Sequence, residues 1–81
     1  MARIGILGAG SWGTALAILL HDNGHDVTVW SIHEKEVETI SQTRRHESKL
    51  PGVEIPEGIS FTTDMKETMS DKDVCVLAVP S

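Results

Sequence analysis

Three glycines near the start of the chain, at the spacing G-x-G-x-x-G, constrain its fold more than any other feature. Gly8, Gly10 and Gly13 stand between a short apolar run and an apolar pattern of helical period. Gly8 lets a chain turn tightly out of a strand, and Gly10 removes a Cβ that would block close approach to the backbone. Gly13 lets a helix pack closely on a sheet. A strand, a tight turn and a helix are therefore predicted in that order.

This order of parts is typical of a site for the pyrophosphate of a dinucleotide. A helix that begins at the turn presents its N-terminal N–H groups and the positive end of its dipole to an anion. Cofactor contacts are predicted from the turn, at Gly8, Ala9, Gly10 and Gly13. The alternative is a tight structural turn without a ligand. The strand–turn–helix setting, with a second strand pattern at the expected distance, favours the dinucleotide site.

The remaining patterns predict alternating strands and helices. The predicted strands cover residues 3–7, 26–30, 59–63 and 73–79, and the predicted helices cover residues 12–23, 34–45 and 65–69. This alternation predicts an α/β fold, a partial Rossmann-type doubly wound parallel sheet of the form β-α-β-α-β-α-β. Right-handed crossovers give the strand order 3-2-1-4. The carboxyl ends of the first and fourth strands then flank the ligand.

Apolar spacing also predicts which side of each helix faces the sheet. In the first helix the inward stripe is Ala15, Leu16, Leu19 and Leu20, and Asn23-Gly24 ends the helix. In the second helix Val37 and Ile40 face inward, while Lys35, Glu36 and Glu38 face outward. Asp64 is predicted to cap the third helix, with Glu67 at the capping-box position.

Composition narrows the functional classes. A net charge of −5 argues against a nucleic-acid or membrane-surface partner, and the basic run at residues 44–46 is explained as a solvated helix end. The single cysteine, Cys75, lies in an apolar strand pattern, so a buried and inert thiol is expected. His21 and His25 flank the end of the first helix and are expected there rather than as metal ligands. No signal peptide or membrane span is recognised, and a cytoplasmic location is expected.

The end of the second strand bears on the choice of cofactor. Sites for NAD commonly place an acidic residue here to accept hydrogen bonds from the adenine ribose. This chain has Ser31-Ile32-His33 instead, and the nearest acid, Glu34, is expected to open the next helix. Ser31 can donate to a phosphate and His33 can carry positive charge. The sequence alone therefore favours acceptance of NADP.

Several stretches resemble the NAD(P)-dependent glycerol-3-phosphate dehydrogenases. The most specific is Ser11-Trp12-Gly13-Thr14-Ala15-Leu16-Ala17, which extends the glycine motif. The other matching stretches are Asn23-Gly24-His25-Asp26-Val27, Trp30, Leu50-Pro51-Gly52 and Ala78-Val79-Pro80-Ser81. Members of this family reduce dihydroxyacetone phosphate to sn-glycerol 3-phosphate for phospholipid synthesis, using NADH or NADPH. The resemblance covers the whole chain.

The resemblance adds candidate cofactor contacts. It implies that Ser11 and Trp12 touch the dinucleotide, and it extends the site to Val79 and Pro80 at the end of the fourth strand. Two positions depart from the family pattern. Ile32 stands where a His or Arg is common, which leaves His33 as the basic candidate. Lys49 stands where an aromatic residue usually precedes Leu-Pro, and it becomes the candidate adenine-side contact there.

Family members have over three hundred residues, with the catalytic lysine and the substrate-phosphate contacts in later segments. Residues 1–81 are therefore expected to be the N-terminal part of the cofactor domain, without the helical substrate domain. No catalytic residue is assigned in this chain, and no metal site. The expected partners are dihydroxyacetone phosphate and glycerol 3-phosphate in the complete enzyme, with a homodimer as a candidate assembly. The alternative is a free-standing dinucleotide-binding module without catalysis.

Overall fold

The computed structural model describes residues 2–45 and 52–78 of the chain. Four strands and three helices alternate along it, as the sequence predicts. The strands are β1 (Arg3–Leu7), β2 (Asp26–Trp30), β3 (Ser60–Thr62) and β4 (Val74–Leu77). The helices are α1 (Ser11–Asp22), α2 (Glu34–Thr43) and α3 (Met65–Met69).

The strands form one parallel sheet in the order β3-β2-β1-β4, which confirms the predicted order. Leu7 at the end of β1 lies beside Trp30 on one side and Leu77 on the other. The N–H of Ser31 donates to Thr62 O at 3.0 Å, which ties the end of β2 to β3. All four strands therefore end at one edge of the sheet, where ligands of open α/β sheets bind.

The centre of the sheet and one side of each longer helix form the apolar core. Its fully buried members include Ile6, Val27, Val29 and Ile40. The predicted inward stripe of α1 is wrong in part: Ala15 and Leu19 are exposed, whereas Gly13, Thr14 and Ala17 are buried. Small residues face the sheet because α1 lies too close to it for larger side chains. Leu16 and Leu20 are partly buried at the margin of the core.

The end of α2 differs from the solvated helix end that the sequence predicts. Arg44, the residue after the helix, adopts a left-handed conformation with φ 55° and is half-buried. Its guanidinium donates to Pro56 O and, at 2.7 Å, to Ile59 O, and it lies 6.0 Å from the centre of the Phe61 ring. Arg44 therefore joins α2 to the segment that leads into β3. Carbonyl acceptors explain why this charged side chain is not left in solvent.

Helix α3 begins as predicted but without a closed capping box. The Asp64 carboxylate accepts from the backbone N–H groups of Lys66 at 3.0 Å and Glu67 at 3.2 Å. The N–H of Asp64 donates to Thr62 Oγ1 at 3.0 Å instead of to the Glu67 side chain. Glu67 itself accepts from the Thr62 hydroxyl at 3.4 Å. Thr62 has therefore taken the place that a capping box gives to Glu67.

The prediction of a buried Cys75 is wrong, because its side chain is exposed. Strand β4 is the outermost strand on its side of the sheet, and its neighbours Val74 and Leu77 are 50% and 69% exposed. The residues of β4 are apolar, as the sequence indicates, but apolar side chains become buried only where another helix or strand packs over them. No described residue of this chain covers Val74, Cys75 and Leu77.

Both histidines near the end of α1 make contacts there. The Nδ1 atom of His25 accepts from the N–H of Ala2 at 3.0 Å, and the His21 ring lies directly against Gly58. Gly24, between them, has φ 88° and ends the helix as predicted. Among the residues that the structure describes, no helix is long and apolar enough to cross a membrane.

Candidate dinucleotide site

The glycine-rich turn leaves β1 abruptly and leads into α1 within three residues. Gly8 has φ 127°, a conformation that side-chain-bearing residues rarely adopt. Its N–H donates to Trp30 O at 2.9 Å, so the turn begins beside the end of β2. The predicted role of Gly8 as the tight turn is therefore consistent with its backbone.

Gly13 brings the first turn of α1 against the sheet. A Cβ placed on Gly13 would overlap the carbonyl oxygen of Gly8 and would lie 3.2 Å from the Cβ of Ala78. The N–H of Ala78 in turn donates to Leu7 O at 2.9 Å, next to the start of the turn. This packing accounts for the glycine at the third position of the motif.

Gly10 differs from Gly13 because the space around it is open. A Cβ on Gly10 would meet no atom of the described chain within 4 Å, and its φ of −73° is accessible to any residue. Packing against the described residues and backbone strain therefore do not explain the glycine. Open space above the backbone at the start of a helix is what an approaching phosphate needs.

The N-terminus of α1 has electrostatics that suit an anion. The cap residue, Gly10, supplies no side chain to the first N–H groups, and the first turn of α1 contains no acidic residue. Helix α2, by contrast, carries Glu34 and Glu36 in its first turn. The positive end of the α1 dipole is therefore not offset by a carboxylate of its own first turn.

The other predicted residues of the turn have different exposures. Ala9 is buried and its carbonyl accepts from the Thr14 hydroxyl at 3.3 Å, so its side chain faces the core. Ser11 is exposed at the first position of α1. Trp12 is 61% exposed, a large apolar surface to leave in solvent. Ser11 and Trp12 are thus accessible to a ligand beside the turn.

At the end of β2 the structure brings Ser31 and Glu36 together. Ser31 is only 3% exposed, and its hydroxyl donates to Glu36 Oε1 at 3.2 Å while accepting from the N–H of His33 at 3.1 Å. The hydroxyl proton that was expected to meet a phosphate is therefore already donated. The expectation that Glu36 faces outward is also wrong, because its side chain is half-buried. His33 is exposed at the N-cap of α2.

Sequence reasoning missed Glu36 as a candidate site residue. The outward face of α2 was inferred from helical period alone, which does not register a hydrogen bond back to the preceding strand end. A serine after the strand and a glutamate in the first helical turn were the available signals. Three other predicted contacts, Lys49, Val79 and Pro80, lie outside the described residues.

Comparison with known proteins connects this geometry to a family. The family model described as "NAD-dependent glycerol-3-phosphate dehydrogenase N-terminus" matches residues 3–81. The chain belongs to this family. Its glycine-rich turn is therefore the turn of a glycerol-3-phosphate dehydrogenase N-terminal domain, and the resemblance seen in the sequence is confirmed.

Individual relatives support the same assignment. The glycerol-3-phosphate dehydrogenase [NAD(P)+] of Agathobacter rectalis is 56% identical over all 81 residues, which cover 24% of that protein. The Bacillus subtilis protein of the same name is 46% identical over the same span, again 24% of its length. In the crystal structure of glycerol-3-phosphate dehydrogenase from Coxiella burnetii the match has a TM-score of 0.91 at 35% identity. It covers 99% of this chain and 25% of that one. The chain thus spans about a quarter of the length of these relatives.

Proposed function

We propose that this chain is the N-terminal part of the cofactor domain of an NAD(P)-dependent glycerol-3-phosphate dehydrogenase. The complete enzyme would reduce dihydroxyacetone phosphate to sn-glycerol 3-phosphate, which feeds glycerophospholipid synthesis. The observation that carries the proposal is the contrast between Gly13, where packing excludes a side chain, and Gly10, where no described residue does so and an approaching ligand would. Membership of the dehydrogenase family supports the identity of that ligand.

The residues of the turn would bind and orient the pyrophosphate of the cofactor. Gly8 and Gly10 expose the backbone, and the N-terminus of α1 supplies N–H donors and a favourable dipole. Ser11 and Trp12, both exposed, would contact the dinucleotide beside the turn. Val79 and Pro80, which come after Ala78 in the sequence, complete the proposed set together with Lys49.

The nicotinamide supplies the hydride for carbonyl reduction when the cofactor is bound. This chain's contribution is to hold the dinucleotide in one place and orientation. Catalytic groups and the triose-phosphate contacts are proposed to lie in the remainder of the complete enzyme. In such an enzyme one part holds the cofactor and the other holds the substrate. Holding both reactants in the correct orientation supplies the proximity contribution to the rate enhancement.

The uncovered apolar residues of β4 support a sheet that continues beyond this chain. A parallel strand at the centre of a doubly wound sheet is apolar on both faces, whereas an edge strand usually carries charges. Val74, Cys75 and Leu77 are apolar and exposed at the edge. We place a further strand or helix of the complete enzyme against them. A cytoplasmic location and a homodimeric assembly belong to the same proposal.

The test is substrate-dependent oxidation of NADH and NADPH by the complete gene product and by residues 1–81 alone. Oxidation that requires dihydroxyacetone phosphate is expected for the complete product and not for the 81 residues. Dinucleotide binding without activity in the complete product would instead favour a binding module. Activity of the purified 81-residue chain would refute the proposed division of labour.

A further inference from the structure

Thr14 is a fully buried threonine in the first turn of α1, directly after Gly13. A buried hydroxyl needs an acceptor within the protein. A threonine inside a helix usually donates to a carbonyl three or four residues earlier. The Thr14 hydroxyl donates instead to the carbonyl of Ala9 at 3.3 Å, five residues earlier and outside the helix. This hydrogen bond therefore joins α1 to the glycine-rich turn.

Thr14 holds two consecutive carbonyls of the turn. Its hydroxyl contacts Ala9 O, and its backbone N–H donates to Gly10 O at 2.9 Å. The peptide group between Ala9 and Gly10 is trans, so its N–H points away from the carbonyl that the hydroxyl holds. The N–H of Gly10 is therefore directed away from the buried side of α1. Among the residues that the structure describes, none accepts this N–H.

We propose that Thr14 is a positioning residue for the pyrophosphate of the cofactor. Its hydroxyl fixes the peptide group between Ala9 and Gly10, so that the N–H of Gly10 stays directed toward the ligand. The inference rests on the proposed function. Thr14 itself is buried and acts through the turn, without touching the cofactor. A donor that is already oriented loses less conformational entropy when it binds an anion.

The composition of the turn explains why such a restraint matters. Ala9 stands between Gly8 and Gly10, and the glycine backbone has more conformational freedom than that of any other residue. On the strand side the turn is anchored by the N–H of Gly8, which donates to Trp30 O at 2.9 Å. Thr14 supplies an anchor on the helix side. The hydroxyl thus restrains a segment whose glycines leave room for a ligand but do not fix its backbone.

The experiment measures the dissociation constant of NADH for the complete gene product by calorimetry, in two pairs of proteins. The unaltered protein and Thr14→Val have side chains of nearly the same shape and differ in the hydroxyl. Thr14→Ser and Thr14→Ala differ in the hydroxyl as well, within a smaller side chain. In each pair the protein without the hydroxyl is expected to bind NADH about five- to tenfold more weakly, the effect of losing one neutral hydrogen bond.

Positioning and a merely structural role predict different orders of the variants. Thr14→Ser loses a buried methyl group and should lower the unfolding midpoint, yet it should bind NADH within about twofold of the unaltered protein. In Thr14→Val the KM for NADH should rise while kcat stays nearly constant, because the contact is made equally in the ground state and the transition state. Thr68→Val is the matched control: Thr68 is equally buried, but its hydroxyl donates to Asp64 O at the start of α3, so NADH affinity should stay within about twofold.

Equal NADH affinity within each pair of folded proteins would overturn this inference and leave the proposed function intact. Losses of affinity that follow the losses of stability, with Thr14→Ser as weak as Thr14→Ala, would overturn it as well. If Thr14→Val does not fold, the pair Thr14→Ser and Thr14→Ala decides the question. Failure of the folded, unaltered protein to bind NADH would refute the proposed function itself, and this inference with it.

Discussion

Substitutions of Gly13 and Gly10 are predicted to affect the stability of the fold differently. Gly13→Ala should destabilise the fold by about 1–3 kcal/mol, because the new Cβ overlaps Gly8 O and crowds Ala78. The higher helix propensity of alanine recovers only part of that loss. Urea unfolding of the complete gene product measures the change. Gly10→Ala is the matched control, and an equal loss of stability in both variants would contradict the packing described here.

Arg44 gives a second prediction at the residue scale. Arg44→Lys keeps the charge, but the shorter side chain lacks the Nη2 atom that donates to both Pro56 O and Ile59 O. A loss of about 1–3 kcal/mol in the free energy of unfolding is expected. Arg3→Lys, the same change at an exposed arginine, should have almost no effect. Equal effects at the two positions would show that the carbonyl contacts of Arg44 contribute nothing.

Single-residue environments were the least predictable part of this chain. The glycine motif predicted both the turn and the close helix packing, because backbone geometry depends mainly on local sequence. Burial of Arg44 and Ser31, and the inward turn of Glu36, depend on partners from other segments. Helical period and charge do not carry that information, so the sequence placed Arg44 and Glu36 in solvent.

At the scale of elements, the third helix supplies a test of its cap. Helix α3 has only five residues, so its stability depends strongly on the two N–H groups that Asp64 accepts. Asp64→Ala should cost about 1 kcal/mol, whereas Asp64→Asn retains an acceptor and should cost much less. Hydrogen exchange of the Lys66 and Glu67 amides measures the effect locally. Equal exchange in the alanine and asparagine variants would contradict the capping role.

Element order and strand order were both predictable from the sequence. Apolar runs bounded by glycine and by capping residues identified all four strands and three helices, and the chirality of crossovers then left one arrangement of the sheet. The inward stripe of α1 was not predictable, because leucines usually face a core. Here the close approach imposed by Gly13 admits only small residues, so Ala17 lies inside and Leu19 outside.

At the scale of the whole molecule, composition could not show that the outermost strand, β4, is exposed. An apolar strand was expected to be buried, yet Val74, Cys75 and Leu77 are exposed in a chain about a quarter as long as its relatives. The carboxyl ends of the strands, by contrast, bring the Gly8–Gly13 turn, the end of β2 and Ala78 together. The proposed cofactor contacts can therefore be tested separately from catalysis.

The central claim is that the open space above Gly10 receives the pyrophosphate of the cofactor. Calorimetric titration of the complete gene product with NADH, before and after the change Gly10→Val, tests it most directly. Because a Cβ here meets no atom of the described chain within 4 Å, circular dichroism should stay nearly constant, and the unfolding midpoint should fall only slightly, as expected for valine at a helix N-cap. The dissociation constant should rise by about a hundredfold, close to 3 kcal/mol. Unchanged affinity in the folded Gly10→Val protein would contradict the account.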